Sequence, residues 1–171
     1  SLGFTRALGR SSRAMHWTAS GEIQAIACTP DGMVWVGGKG GLRVFDGKAW
    51  RPVADHEALA GAVTALHAAP DSNLWVGTRD EGALRWDGKT WISHSLRQGL
   101  PTNGVLSLAT LGGGVWLVAG HRQGVLRWDG SHLPAATLAG WVEAMDPGLG
   151  ADVESVSEDR EGAIWLNAVS S

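Results

Sequence analysis

The side chains in this chain that could do chemistry are scattered, and their spacing argues for binding rather than catalysis. Six histidines, His16, His56, His67, His94, His121 and His132, include no His-x-His or His-x-x-x-His pair, so no local metal-ligand set is written into the chain. The single cysteine, Cys28, excludes an internal disulfide and a cysteine-based zinc cluster, and its place in an apolar run reads as core. No Gly-x-Ser-x-Gly elbow and no phosphate-cradling loop occurs. Asp31, Asp46, Asp71, Asp87 and Asp129 recur where turns are expected, because a short carboxylate can accept its own backbone N–H groups. A glycosidase pair is defined by separation in space, and nothing singles one out among these. Catalytic residues, metal and cofactor are therefore all read as none.

Binding candidates come from short polar segments. Lys39 lies in 37–41, Arg79 and Asp80 in 78–82, His121 and Arg122 in 119–124, and Trp141 in the long segment 134–152. Charged groups on a rigid scaffold suit an anionic or hydroxyl-rich ligand, and an aromatic wall suits its apolar face. A solvated rim is the plainer reading of the cations. For Trp141, which matches no marker of the other copies, stacking on a sugar or a partner surface and plugging the channel stand as equal readings.

The elements that must position these residues follow from a repeat. GMVWVGG around Trp35, NLWVGT around Trp75, GVWLVAG around Trp116 and AIWLNA around Trp165 place one tryptophan every 40, 41 and 49 residues. Asp46-Gly47, Asp87-Gly88 and Asp129-Gly130 keep the same step, as do the apolar pairs Ile23/Ile26, Val63/Leu66, Val105/Leu108 and Val153/Val156. Three markers in one order at one period make the repeat, not the whole chain, the folding unit. Within it, the pattern predicts strands over 23–28, 33–36, 42–45 and 49–53, with Asp-Gly as the hairpin signal before the fourth. Four antiparallel strands per repeat of about 41 residues is the signature of a β-propeller blade. The fold class is accordingly all-β, with about four repeats in a partial or fragment propeller. The boundaries are 1–20 for the outer strands of an incomplete blade, then blades over 21–61, 62–103 and 104–151, and the start of a fourth over 152–171. The repeated tryptophans are expected to be core, as bulky fillers between stacked sheets.

Composition narrows the partners. With 44% hydrophobic residues, 18% charged and a formal net charge of −3, the chain carries no basic patch for nucleic acid. It has no apolar run long enough for a membrane span, and Arg6, Arg10 and Arg13 are followed by no signal-peptide core. The fourth repeat ends after its second strand. Its edge must be covered, either by residues 4–17, with Trp17 standing where Trp50 and Trp91 stand, or by further blades or a second chain. The reading as a piece of a longer propeller is preferred.

Val63-x-x-Leu66, Asp71-Ser72-Asn73-Leu74-Trp75-Val76-Gly77-Thr78 and Gly82-x-Leu84-x-Trp86-Asp87-Gly88 resemble the two-component regulator propeller repeat. The resemblance covers about 150 residues and is weakest in the fourth copy. It departs at Arg43, which stands where Leu84 and Leu126 stand. It implies a non-enzymatic, extracytoplasmic or periplasmic ligand-sensing module of a membrane-linked signalling regulator, with a small-molecule or carbohydrate ligand. A propeller scaffold for protein–protein interaction is the alternative, and a propeller lyase or glycosidase a third reading.

Overall fold

Two kinds of turn alternate along this chain, each with its own chemistry, and together they build a meander. In the computed structural model, residues 3–4, 17–18, 22–120, 124–128 and 153–168 are described. Two short strands, β1 (Gly3–Phe4) and β2 (Trp17–Thr18), pair with each other. The first full sheet contains β3 (Ile23–Cys28), β4 (Val34–Gly38), β5 (Gly41–Phe45) and β6 (Trp50–Pro52), hydrogen-bonded in that order. After a 3-10 turn, η1 (Glu57–Ala60), the second sheet repeats the order with β7 (Val63–Ala68), β8 (Leu74–Thr78), β9 (Ala83–Trp86) and β10 (Trp91–His94). A second 3-10 turn, η2 (Leu96–Gln98), leads to β11 (Val105–Leu111), β12 (Gly114–Ala119) and β13 (Val125–Arg127). The last described pair is β14 (Val153–Glu158) and β15 (Ile164–Ala168).

The aspartates act as turn formers. Asp31 Oδ1 accepts from the Met33 N–H and Asp71 Oδ1 from the Asn73 N–H, closing the first turn of the first and second blades. Asp46 Oδ1 accepts from Lys48 and Ala49, and Asp87 Oδ1 from Lys89 and Thr90, closing the hairpin before the fourth strand. Those backbone donors, led by Ala49 and Thr90, hold both hairpin carboxyls below the ordinary range. Asp129 lies outside the described residues.

Blades stack with their first strands side by side. Thr64 Oγ1 on β7 donates to the Val105 carbonyl on β11 at 2.5 Å, and His67 Nε2 lies 2.6 Å from Thr110 Oγ1 further along the same two strands. The contact is close enough to dictate glycine. A Cβ added to Gly37 would fall 2.2 Å from Val63 Cγ1, and one on Gly77 would fall 2.6 Å from Val105 Cγ1. The glycine of the repeated Trp-Val-Gly phrase therefore belongs to the strand and receives the next blade's leading valine, rather than opening a loop. β4 accordingly runs to Gly38, two residues past the expected end.

An apolar cluster fills each junction. Trp35 packs with Val63, Leu74, Val76 and Leu84 of the second blade. Trp75, fully buried, packs with Val105, Leu117 and Leu126 of the third, and Trp116 with Val153 and Val156 of the fourth. Two expectations fail at the ends of this stack. Trp165, at the same repeat position, is 64% exposed, and Cys28 is exposed as well. Both lie on sheet faces that no described blade covers, and burial at these positions is supplied by the neighbouring blade. Among the described strands, residues 3–4 and 17–18 pair with each other.

Candidate functional site

The antiparallel order places the β4–β5 and β8–β9 connections, together with η1 and η2, on one edge of the sheets. The Asp31, Asp46, Asp71 and Asp87 turns lie on the other. Lys39 sits in the two-residue turn between β4 and β5, and Arg79 and Asp80 follow β8; all three are exposed. Lys39 Nζ is 2.7 Å from Glu22 Oε2. The Glu22 carboxyl is held below its ordinary range by the hydrogen bond from Lys39 and its charge, with a smaller contribution from Arg79. Cationic side chains of two adjacent blades thus share one electrostatic neighbourhood. The backbone beneath them is pinned: Arg79 N–H donates to the Ala62 carbonyl, Gly82 N–H to the Asn103 carbonyl, and Thr78 Oγ1 to the Gly82 carbonyl. His121, Arg122 and Trp141, the other predicted binding residues, lie outside the described residues.

Sequence reasoning missed the two junction interiors. Between the second and third blades, His94 stacks on Trp75 with ring centroids 5.4 Å apart and meets Trp128 edge-on at 4.9 Å. The Arg85 guanidinium lies over the Trp128 ring, 5.1 Å from its centroid. His94 is buried, and its Nε2 has no hydrogen-bond partner among the described residues. Burial, reinforced by the Arg85 charge, lowers its pKa to about 4.

Between the first and second blades the corresponding space is a cleft of about 350 Å³, walled by Trp35, Trp86, Trp91 and Val44. Trp35 and Trp91 meet edge to face at 6.3 Å, and Trp86 lies against Trp91 at 5.0 Å. Comparing residues across strand registers would have been the signal. Val44 pairs with Trp35 as Arg85 pairs with Trp75. Val53, whose N–H donates to the Leu42 carbonyl, continues the ladder where His94 pairs with Ala83.

Among the described residues, no group of three or more His, Cys, Asp or Glu side chains could hold a metal ion, and no helix is long and apolar enough to cross a membrane. No protein-family profile matches the chain, and no curated protein matches it. Solved structures do share its fold. The chain superposes with TM-score 0.69 and 16% identity on the extracellular domain of BT3049 from B. thetaiotaomicron, described as a hybrid two component system, covering 88% of this chain and 22% of that one. The extracellular domain of BT4673 from the same organism, described as a one component system, gives 0.66 and 15% over 94% of this chain and 24% of that one. Virginiamycin B lyase from Staphylococcus aureus gives 0.62 and 12% over 91% of this chain and 53% of that one. The chain therefore spans about a quarter of the two extracellular domains and about half of the lyase. At these identities the likeness establishes the propeller fold alone, and that fold carries both extracellular domains of signalling proteins and an enzyme.

Proposed function

We propose that this chain is part of a ligand-sensing β-propeller, a non-enzymatic extracytoplasmic module of a membrane-linked signalling regulator, which takes its ligand on the loop edge. The supporting observation is the neighbourhood of Lys39, Glu22 and Arg79, built from two blades on pinned backbone. Asp80 and, from the sequence, His121, Arg122 and Trp141 complete this site. Preplaced charges on a rigid edge suit a small anionic or hydroxyl-rich molecule, carbohydrate included. The two extracellular domains add fold-level analogy. The aspartates at the opposite edge are occupied in turns, which supports a binding role over a carboxylate-driven one.

One observation favours an additional macromolecular contact. Trp165 occupies a position that the next blade buries in three earlier copies, so the remaining blades of a longer propeller, or a second chain, would cover it.

Screening the chain against arrays of oligosaccharides and small organic anions by calorimetry tests the ligand reading. A hit should weaken by about tenfold in Arg79→Ala or Lys39→Ala, while the melting transition of either variant stays within about 0.5 kcal/mol of the parent. Hits indifferent to both changes but sensitive to Asp46→Ala or Asp87→Ala would move binding to the other edge. Turnover abolished by one carboxylate replacement would make the protein an enzyme.

A further inference from the structure

The chain contains its own precedent for what the cleft between the first two blades would hold. At the neighbouring junction, Arg85 of one blade extends its guanidinium over Trp128 of the next. Trp86 is the repeat equivalent of Trp128: Trp86 pairs opposite Leu74, and Trp128 N–H donates to the Val115 carbonyl at the matching site. On the facing blade, however, Val44 replaces the arginine and Val53 replaces His94. Both valines line the cleft and neither reaches across it. The indole surface that takes a cation at one junction faces a cavity at the other.

The charges around that cavity have a sign. Asp31 and Asp55 line it and are exposed. The Asp55 carboxylate has no hydrogen bond or ion pair among the described residues, and Asp31 uses only Oδ1, which accepts from Thr29 and Met33. Arg51 also lines the cleft, but its guanidinium lies 3.4 Å from Asp46 Oδ2 and is offset by that carboxylate. Trp86 and Trp91 are half-buried walls, and an aromatic face desolvated on one side attracts cations more strongly than one in open water.

We propose that this cleft is a binding site for a small organic cation, a guanidinium or quaternary ammonium on an alkyl body, whose charged group takes the place over the Trp86–Trp91 surface that Arg85 takes over Trp128. Asp31 and Asp55 supply the counter-charge, and Val44, Val53 and Met33 contact the alkyl portion. Lys39, Arg79 and Asp80 do not line the cleft, which stands independently of any ligand bound by them. Its volume lies toward the small end of ligand pockets, which run roughly from 300 to 1,000 Å³, so the class is a metabolite-sized cation rather than a folded partner.

Agmatine and choline are the probes, titrated into the chain at constant ionic strength and followed by calorimetry and tryptophan fluorescence. The expected result is saturable one-to-one binding of at least one of them. The neutral choline isostere 3,3-dimethylbutan-1-ol should bind at least about tenfold more weakly. Val44→Arg, which installs the second blade's own cation, should abolish binding. Asp55→Asn, at an exposed position that leaves the fold intact, should weaken it about two- to fivefold, so the proposal stays testable if Val44→Arg does not fold. Arg79→Ala should leave binding unchanged. No saturable binding of either cation, equal binding of the neutral alcohol, or indifference to Asp55→Asn would overturn the assignment. Maltose giving a saturable response that Val44→Arg abolishes, with neither cation binding, would overturn it in favour of a neutral ligand.

Discussion

The first–second and second–third blade junctions use the same repeat positions and end as different objects. In the second, Arg85 and His94 fill the wedge between Trp75 and Trp128, at the cost of burying Arg85 Nε and His94 Nε2 with no hydrogen-bond partner among the described residues. In the first, two valines stand in those places and a cleft with three indole walls remains. One junction is closed by its own side chains and carries a titratable load; the other avoids that load and is open. A tandem fold can therefore hold its strands to one plan while each junction acquires its own interior.

The sharpest test of the contrast is truncation of the two tryptophans. Trp75→Ala should cost about 3–5 kcal/mol in urea melts, because a fully buried indole leaves a cavity that its stacked neighbours cannot collapse into. Trp35→Ala borders space that already exists and should cost at least about 1 kcal/mol less. Equal costs would mean the junctions are energetically alike.

Acid should separate the junctions next. His94 has a folded pKa near 4, below its ordinary value of 6.5, so the unfolded chain binds a proton that the folded chain refuses between those values. Stability is therefore retained above pH 6.5 and lost as pH falls toward 4, by up to about 3 kcal/mol. His67, whose pKa burial also lowers, acts in the same direction. His94→Phe keeps an aromatic ring in the stack and should flatten this part of the stability profile. An unchanged profile would show that the buried histidine does not control it.

The smallest expected effect probes what the junctions share. Gly37→Ala and Gly77→Ala each drive a methyl group into the next blade's valine, and each should lose about 1–3 kcal/mol by overpacking. A much milder loss at Gly37 would indicate that the open cleft lets the first two blades shift apart.

What was legible in the sequence is what each blade decides alone. Asp46-Gly47 and Asp87-Gly88 hairpins, the Trp-centred second strands and the apolar first strands are local signals, and they appear close to the predicted positions. What escaped depends on a second blade. Trp165 and Cys28 read as core because their copies or their strand are apolar, yet exposure is decided by whether another sheet lies over them. Gly37 reads as the start of a loop because its contact, Val63, lies in the next repeat. The cleft was readable in principle from Val44 against Arg85, but only once strand register says that those residues stand in the same place. The 3-10 turns η1 and η2 leave no hydrophobic period to detect, although Ser95 and Gln98 form a capping box around the second.

The close fit of Gly37 to Val63 and of Gly77 to Val105 also bears on how such a chain could be rearranged. The notch lies on one repeat and the residue that enters it on the following one, so each of these two boundaries is a lock and key split between two units. The third repeat carries Val118 at the notch position, where it packs with Val153, and the fourth carries Asn167. The first two boundaries have room for one branched side chain at this point and the third holds two, Val118 and Val153, so moving the third repeat into the first place would set Val118 against Val63 at a boundary spaced for glycine. Sequence similarity between the repeats therefore does not make them interchangeable, and a duplication or shuffling event could survive only where it carried a matching pair across the break.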